Sequence, residues 1–353
     1  MQAPWEYGSQ FHWLRFQAAR TQSALPWTAR SVRLNCGRDA LGALIHHLRP
    51  SRLWLPSYLC QELVAPLLGS GVELRCYPDS PLELSLDLQG IPLRPRDAVL
   101  VVNYFGLASR ARVLPTDVQG VTVVEDHTHG PCSTWALSSQ ADYCFASLRK
   151  SLPIPDGAVL WSPKDHDLPR PVPFGPHRSS SVQQRLSGML MKSLYLTGHR
   201  VSKSSFRQLL DESEGQIARG SISAMSPLSS SVLDVFPFEP WRSIRHDNFV
   251  RLVDALRSSG SFEVLEPADP QESPFVVPCV FQDAEGCTAA RGALVARDVY
   301  PSCLWPLEEP VLAGVPREHI SLACRMFTLP CDGRYGPNDI DRVLEVFAET
   351  GLI

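Results

Sequence analysis

The stretch Ala98-Val99-Leu100-Val101-Val102-Asn103-Tyr104 constrains this chain more than any other segment. It is apolar almost without interruption, so as a strand it has to be covered on both faces. Residues 121–124 (Val-Thr-Val-Val) repeat the signature. Strands covered on both faces belong to parallel sheets flanked by helices, and parallel neighbours need long crossover segments between them.

Such segments are present from Val32 onward. Residues 37–49 (GRDALGALIHHLR) put Leu41, Leu44, Ile45 and Leu48 on one helical stripe. Residues 52–55 read as a short strand, 57–68 as a second helix opened by Pro56-Ser57, and 72–77 as a strand ending before Pro78-Asp79. Residues 143–146 and 158–161 supply further strands, with Lys150 between them. This alternation predicts an α/β layer structure.

Residues 163–181 are rich in Pro, Ser and charge, including Pro163, Pro169, Pro171, Pro173 and Pro176, and read as a surface loop bordering a site. Helices follow at 181–199 and 204–217, and a serine-rich break at 221–231. A domain change is placed near Pro237. Beyond it, a helix over 241–258, strands over 262–265 and 275–281, a helix over 287–297, a strand over 320–329 and a helix over 337–350 make a small α+β domain. A chain of 353 residues is long enough for two cores. The division is an arm over 1–30, a large domain over 31–236 and a small domain over 237–353. The arm carries Trp5, Tyr7, Phe11, Trp13, Phe16 and Trp27 without a clean period, which suits packing on another surface, a second subunit being a candidate.

Hydrophobic residues at 44% and charged residues at 20% exclude a disordered chain. A net charge of -4 with scattered Lys and Arg argues against a nucleic-acid partner. No apolar run reaches the roughly 18 to 20 residues that cross a bilayer, and residues 1–8 lack the signature of a secretory signal, so no membrane partner and a cytoplasmic location are expected. Ten cysteines spread from Cys36 to Cys331 contain no C-x-x-C pair, so no metal site is expected.

Four features fall where an α/β enzyme places a phosphate-bearing cofactor, at strand ends and helix N-termini. In Cys36-Gly37-Arg38-Asp39-Ala40 a glycine opens a helix whose free N–H groups favour an anion, although most helix starts are only capped ends. Glu125-Asp126-His127-Thr128-His129 follows an apolar strand. An aspartate there can keep a pyridine nitrogen protonated, and His129 can donate to a ring oxygen, although both histidines can equally be ordinary packed residues. Ser147-Leu148-Arg149-Lys150 follows another strand. A lysine so placed is ordinarily solvated, but if enclosed it can form a Schiff base, with Ser147 donating to a phosphate and Arg149 adding charge. Pro155-Asp156-Gly157-Ala158 leads into the next strand and on its own is a turn.

These residues, in this order, resemble the DegT/DnrJ/EryC1/StrS sugar-aminotransferase family of fold-type I pyridoxal-phosphate (PLP) enzymes, chiefly over residues 34–161. The family's phosphate-binding helix start matches Gly37, Arg38 and Asp39, and its E-D-x-x-H/Q motif matches Glu125, Asp126 and His129. Its Schiff-base lysine stands seven residues before a glycine, as Lys150 stands before Gly157. More loosely, Val299-Tyr300-Pro301, Phe327-Thr328-Leu329-Pro330 and residues 339–346 are similar to small-domain motifs of the family. The resemblance implies a large domain with a mostly parallel central sheet flanked by helices and a small C-terminal α+β domain. It also implies PLP anchored on Lys150, with Asp126 on the pyridine nitrogen, His129 near the ring hydroxyl and Ser147 near the phosphate.

The activity implied is transfer of an amino group from an amino acid, glutamate foremost, to a carbonyl acceptor, a keto sugar often linked to a nucleotide. Lys150 would be both anchor and general acid/base. A homodimer is implied as well, because fold-type I sites borrow residues from a partner. The sequence departs from the family in two places. Phe145 stands where the family has a serine five residues before the lysine, leaving Ser147 as the nearest. Cys60 stands where the family stacks an aromatic ring, leaving Tyr58 as a substitute. A PLP-dependent lyase, decarboxylase or condensing enzyme, or a non-catalytic regulatory relative, are the alternatives, since the sequence specifies only the cofactor's anchor.

Overall fold

A computed structural model gives the structure of the chain and describes residues 3–19, 25–27, 30–83, 85–88, 90–107, 111–113, 119–170 and 172–353. In chain order the elements are β1 (Tyr7–Gly8), β2 (Val32–Leu34), α1 (Gly37–Leu48), β3 (Arg52–Pro56), α2 (Gln61–Val64), β4 (Glu73–Tyr77), β5 (Ser85–Asp87), β6 (Asp97–Val102), β7 (Ala111–Val113), β8 (Thr122–Asp126), α3 (Thr134–Leu137), β9 (Tyr143–Ala146) and β10 (Ala158–Trp161). They continue with α4 (Pro176–Leu196), α5 (Lys203–Arg219), α6 (Pro227–Val235), α7 (Phe238–Leu256), β11 (Phe262–Val264), β12 (Val276–Phe281), α8 (Ala284–Val295), β13 (Val299–Tyr300), α9 (Arg317–Cys324), β14 (Met326–Pro330) and α10 (Pro337–Glu349).

The apolar run that opens the sequence argument is β6, and every residue of it is buried. Its side chains divide by period two. Ala98, Leu100 and Val102 enter the core that holds Leu41 and Leu44 of α1, while Val99 and Val101 enter a second core with Trp54, Cys144 and Trp161. Both faces are therefore covered, as a parallel sheet requires. The sheet has seven strands in the order β2-β10-β9-β8-β6-β3-β4. The pairs from β4 across to β9 are parallel, and β10 runs antiparallel to both β9 and β2. Val102 lies opposite Asp126, and Asp126 opposite Phe145, so the carboxyl ends of β6, β8 and β9 meet at one place. That is where open α/β sheets hold ligands.

A three-stranded antiparallel sheet, β11-β12-β14, stands apart from the large one. The arm joins this part of the same chain. β1 pairs in parallel with β13, the Tyr7 hydroxyl donates to the carbonyl of Pro330, and the Gly8 N–H donates to the Tyr335 hydroxyl at 2.8 Å. Further along, the Trp13 N–H donates to the Met189 carbonyl at 3.1 Å. The surface under this part of the arm belongs to the same chain. Residues 1–2, 20–24 and 28–29 of the arm lie outside the described residues.

Four local readings are also corrected. The loop expected over 163–181 ends early, because Pro176 sits at the start of α4, where a missing N–H costs nothing; Pro171 lies outside the described residues. Within the serine-rich break, Ser226 accepts from the Ser229 N–H and caps α6. Residues 320–329 split into the end of α9 and β14. The helix expected over 57–68 shrinks to α2 and a 3-10 turn, since the N–H groups of Ser57 and Tyr58 still bond to the carbonyls of Tyr77 and Asp79. Among the described residues no helix is long and apolar enough to cross a membrane.

Candidate active site

Lys150 ends a single 3-10 turn, Leu148–Lys150, directly after β9. The turn is tied to the loop that follows it. The Arg149 N–H donates to the Gly157 carbonyl at 3.1 Å, and the Gly157 N–H donates to the Asn35 carbonyl at 2.6 Å. Gly157 has φ +140°, a conformation that favours glycine, and a Cβ there would crowd Met225 Cε at 3.0 Å. The spacing of seven residues is thus a closed loop anchored on the residue beside α1. Asp156 braces it from within, accepting from Asn35 Nδ2 at 2.9 Å and from the backbone and hydroxyl of Ser226 at 2.7 and 2.5 Å.

Six of the sequence-predicted residues line one cavity: Gly37, Arg38, Asp126, His129, Ser147 and Lys150. Lys150 is partly buried, and its ammonium has no hydrogen-bonding or ion-pair partner among the described residues; it stands 6.0 Å from the centroid of the Trp305 ring. Asp126, at the end of β8, accepts the Thr128 N–H at 2.8 Å. Burial pushes its pKa above the ordinary carboxylate value, against the bonds from Thr128 and the charge of Lys150.

His129 is 2% exposed and stacks on Phe275 at 4.6 Å and on Trp305 at 5.2 Å between ring centroids. Its Nδ1 accepts the Phe105 N–H at 3.3 Å, which assigns the proton to Nε2. Nε2 is buried and has no partner among the described residues. Burial, then the charges of Lys150 and Arg245, hold the ring well below the ordinary pKa of 6.5, so it is a neutral donor.

Ser147 donates its N–H to Thr128 Oγ1 at 3.0 Å, while its buried hydroxyl has no partner among the described residues. A Cβ on Gly37 would stand 3.1 Å from Ser147 Cβ, so glycine lets the start of α1 approach this hydroxyl. The first i to i−4 bond of α1 is Ala40 N–H to the Cys36 carbonyl, which leaves the N–H groups of Gly37, Arg38 and Asp39 without helical acceptors. The Arg38 guanidinium reaches Glu62 at 2.7 Å and Glu214 at 3.3 Å.

Asp39 and Tyr58 do not line the cavity. The Asp39 carboxylate is turned to Arg178, at 3.0 and 3.2 Å, and accepts the Ser223 N–H at 3.1 Å. Tyr58 is fully buried, donates to the Leu304 carbonyl at 2.7 Å and meets Tyr104 edge-on. Besides His129 and Phe145, the ring lining the cavity is Trp305, which comes from a loop far along the chain; Cys60 lines it as well. A lone tryptophan in an irregular loop carries no periodic signal, which is why the sequence reading missed it. Glu125 and His127 face the other side of the sheet, with Glu125 Oε2 2.6 Å from His127 Nε2 and accepting from Ser139 at 2.7 Å. With the Cys144 thiol they form a buried group whose potential ligand atoms lie within 4.8 Å of one another.

A second cavity of about 200 Å³ lies beyond Lys150, sharing His129, Arg149 and Lys150 with the first and adding Arg185, Asp332 and Arg334. Ser9, Gln10 and Ser302 connect it to a third of about 290 Å³ that holds Lys192, Lys203 and Arg207. Together these two are lined by seven Lys and Arg side chains against three Asp and Glu, in a chain of net charge -4.

No family model matches the chain, and no curated protein matches it. Solved structures do. DesI, determined in the presence of its TDP-sugar product, matches 93% of this chain and 82% of its own, at TM-score 0.62 and 18% identity. NtdA from Bacillus subtilis with bound cofactor PMP matches 92% of this chain and 74% of its own, at TM-score 0.59 and 14% identity. The sugar aminotransferase CalS13 from Micromonospora echinospora matches 90% of this chain and 87% of its own, at TM-score 0.52 and 15% identity. At these identities the likeness establishes a shared fold, a mixed α/β architecture with a large, mainly parallel sheet flanked by helices.

Proposed function

We propose that this chain is a PLP-dependent aminotransferase that moves an amino group from an amino acid, glutamate foremost, to a keto-sugar acceptor. The observation that carries the reading is a single cavity in which a lysine amine without a partner meets the Asp126 carboxylate and the unpartnered buried donors Ser147 Oγ and His129 Nε2.

The residues fit PLP by their chemistry. Leaving a buried donor unpaired costs roughly 1–3 kcal/mol, and a phosphate at Ser147 and a ring hydroxyl at His129 relieve both costs. Gly37 leaves room beside Ser147 for an anion on the N-terminus of α1. When bound, PLP supplies an electron sink for charge developing at the donor's Cα. Lys150 Nζ would hold the cofactor and, once displaced, would take the proton from that Cα and deliver it to the cofactor's C4′ carbon, the transfer that transamination requires. Asp126 would pair with the cofactor's ring nitrogen, and His129 would donate from Nε2 without gaining charge.

Two lines of support favour a keto sugar linked to a nucleotide as acceptor. DesI was solved with a TDP-sugar product and CalS13 is a sugar aminotransferase. The cation-rich cavities beyond Lys150 suit an anionic substrate. The arm, large-domain and small-domain division at residues 30 and 236, a homodimer with the arm as a candidate contact, and a cytoplasmic location belong to the same proposal.

Purified protein is expected to show the visible absorbance of lysine-bonded PLP, and Lys150→Ala to lose it while circular dichroism stays unchanged. Colour that survives the substitution overturns the lysine assignment. L-glutamate should bleach the band and a keto-sugar nucleotide restore it; release of CO2 instead reassigns the chain as a decarboxylase.

A further inference from the structure

Arg149 precedes Lys150 in the chain and has no part in the reaction proposed above. Its two Nη atoms donate to the two oxygens of Glu214, each at 2.7 Å. Arg185 of α4 adds a bond to Glu214 at 3.0 Å, and Arg38 of α1 another at 3.3 Å. One carboxylate from α5 thus serves three guanidiniums from three other segments. Burial alone would raise the pKa of Glu214, but Arg149 foremost, with Arg185 and Arg38, holds it well below the usual carboxylate range. The cluster keeps a surplus of positive charge, because only the largely exposed Glu62 adds a second carboxylate to it.

Arg149 is 6% exposed, and its Nε has no partner among the described residues. Buried guanidinium donors are ordinarily satisfied; Nε of Arg178 and of Arg245 is unpartnered too, but Arg149 alone of the three lines the cavity that holds Lys150 and Ser147. The orphaned Ser147 hydroxyl and the N-terminus of α1 at Gly37 line the same cavity. A hydroxyl, a guanidinium N–H and helical N–H groups that share one cavity match an anion with several acceptor oxygens.

We propose that Arg149 is a phosphate-binding residue of this site, its Nε donating to a phosphate oxygen, and that Glu214, Arg185 and Arg38 are positioning residues that fix its orientation. This rests on the reading of the cavity as a PLP site. Glu214 takes one N–H from each Nη, and Nε is the nitrogen of the fork that has no partner among the described residues. Arg149 also lines the cavity beyond Lys150, where a donor carboxylate is the competing anion.

The test compares PLP with pyridoxal, which lacks the phosphate, by titrating apoprotein and following the lysine-dependent absorbance. Arg149→Gln is expected to weaken PLP about 10- to 100-fold, the range for a lost charge-assisted bond, while pyridoxal and L-glutamate affinities stay within about threefold. Arg149→Lys, which keeps the charge but not the fork, should recover only part of the loss and carries the comparison if the glutamine variant fails to fold. Added inorganic phosphate should strengthen pyridoxal binding in the wild type, less so in Arg149→Lys and not in Arg149→Gln. An equal loss for PLP and pyridoxal, or a loss confined to glutamate, overturns the phosphate assignment. Wild-type protein that takes up neither PLP nor pyridoxal sinks the cofactor reading itself, and this proposal with it.

Discussion

His129 accepts the backbone N–H of Phe105 through Nδ1, at 3.3 Å, and that bond decides how the imidazole can act. With Nδ1 occupied, the proton sits on Nε2, and the ring presents a donor and no acceptor to the cavity. Protonation would break the Phe105 bond and place a cation near Lys150 and Arg245, both of which oppose it.

That arrangement predicts a pH dependence of stability. The folded-state pKa of His129 lies below the ordinary 6.5, by burial first, and returns to that value on unfolding. Its contribution is therefore complete above about pH 6.5 and is lost as pH falls towards the folded pKa. Wild-type Tm should drop between pH 7.5 and 5 by more than that of His129→Gln, which keeps a neutral donor. His12, pushed down to about 3 by burial, acts equally in both proteins, so the difference isolates His129. Identical pH profiles would refute the neutral-donor assignment.

Asp126→Asn separates function from folding. Because burial raises the pKa of Asp126, its ionised form at neutral pH costs the fold stability, and asparagine removes that cost while still accepting the Thr128 N–H. Tm should stay level or rise, while kcat for transamination falls by about 10²- to 10³-fold, on the scale of losing one fixed electrostatic partner. A variant of full activity would show that no charge is needed at this strand end.

The opposite outcome is expected at Asp39. Its partner Arg178 is 1% exposed, and removing the carboxylate leaves a buried cation unpaired. Asp39→Ala should cost about 3–5 kcal/mol in urea unfolding, with PLP affinity within about threefold of wild type. A large loss of PLP affinity in a stable variant would return Asp39 to the cofactor site.

Asp156 is wholly buried and gathers donors from Asn35, Ser226 and Ser229. Asp156→Ala strands them and should destabilise the fold by about 3 kcal/mol or more, whereas Asp156→Asn, which keeps an acceptor, should cost about half as much. Denaturant midpoints of the two variants give the comparison, and equal midpoints would mean that these bonds contribute little.

What the sequence determined by itself was local. An uninterrupted apolar run implied a strand buried on both faces, and β6 is one. Asp156-Gly157 implied a turn, and the backbone bond between Arg149 and Gly157 ties it to the segment that carries Lys150. Asp126 stands at a strand end because the chain leaves the sheet there. Short apolar runs were less informative: residues 320–329 hold part of a helix and a strand, since a few apolar residues suit either period. The serines of 221–231 read as a break because a capping residue looks like a loop residue until its acceptor is seen.

Tertiary structure alone decided which polar groups pair and which stay open. Asp39 is matched to Arg178 across 139 residues, Arg149 to Glu214 across 65, and Trp305 reaches the cavity from the segment between β13 and α9. Strand and turn propensities act through neighbours in the chain, so they can be read along it. A hydrogen bond or ion pair depends on what another segment brings within about 3 Å, and in this protein that separates Asp39, a fold-holding carboxylate, from Ser147 and His129, whose free donors face the cavity.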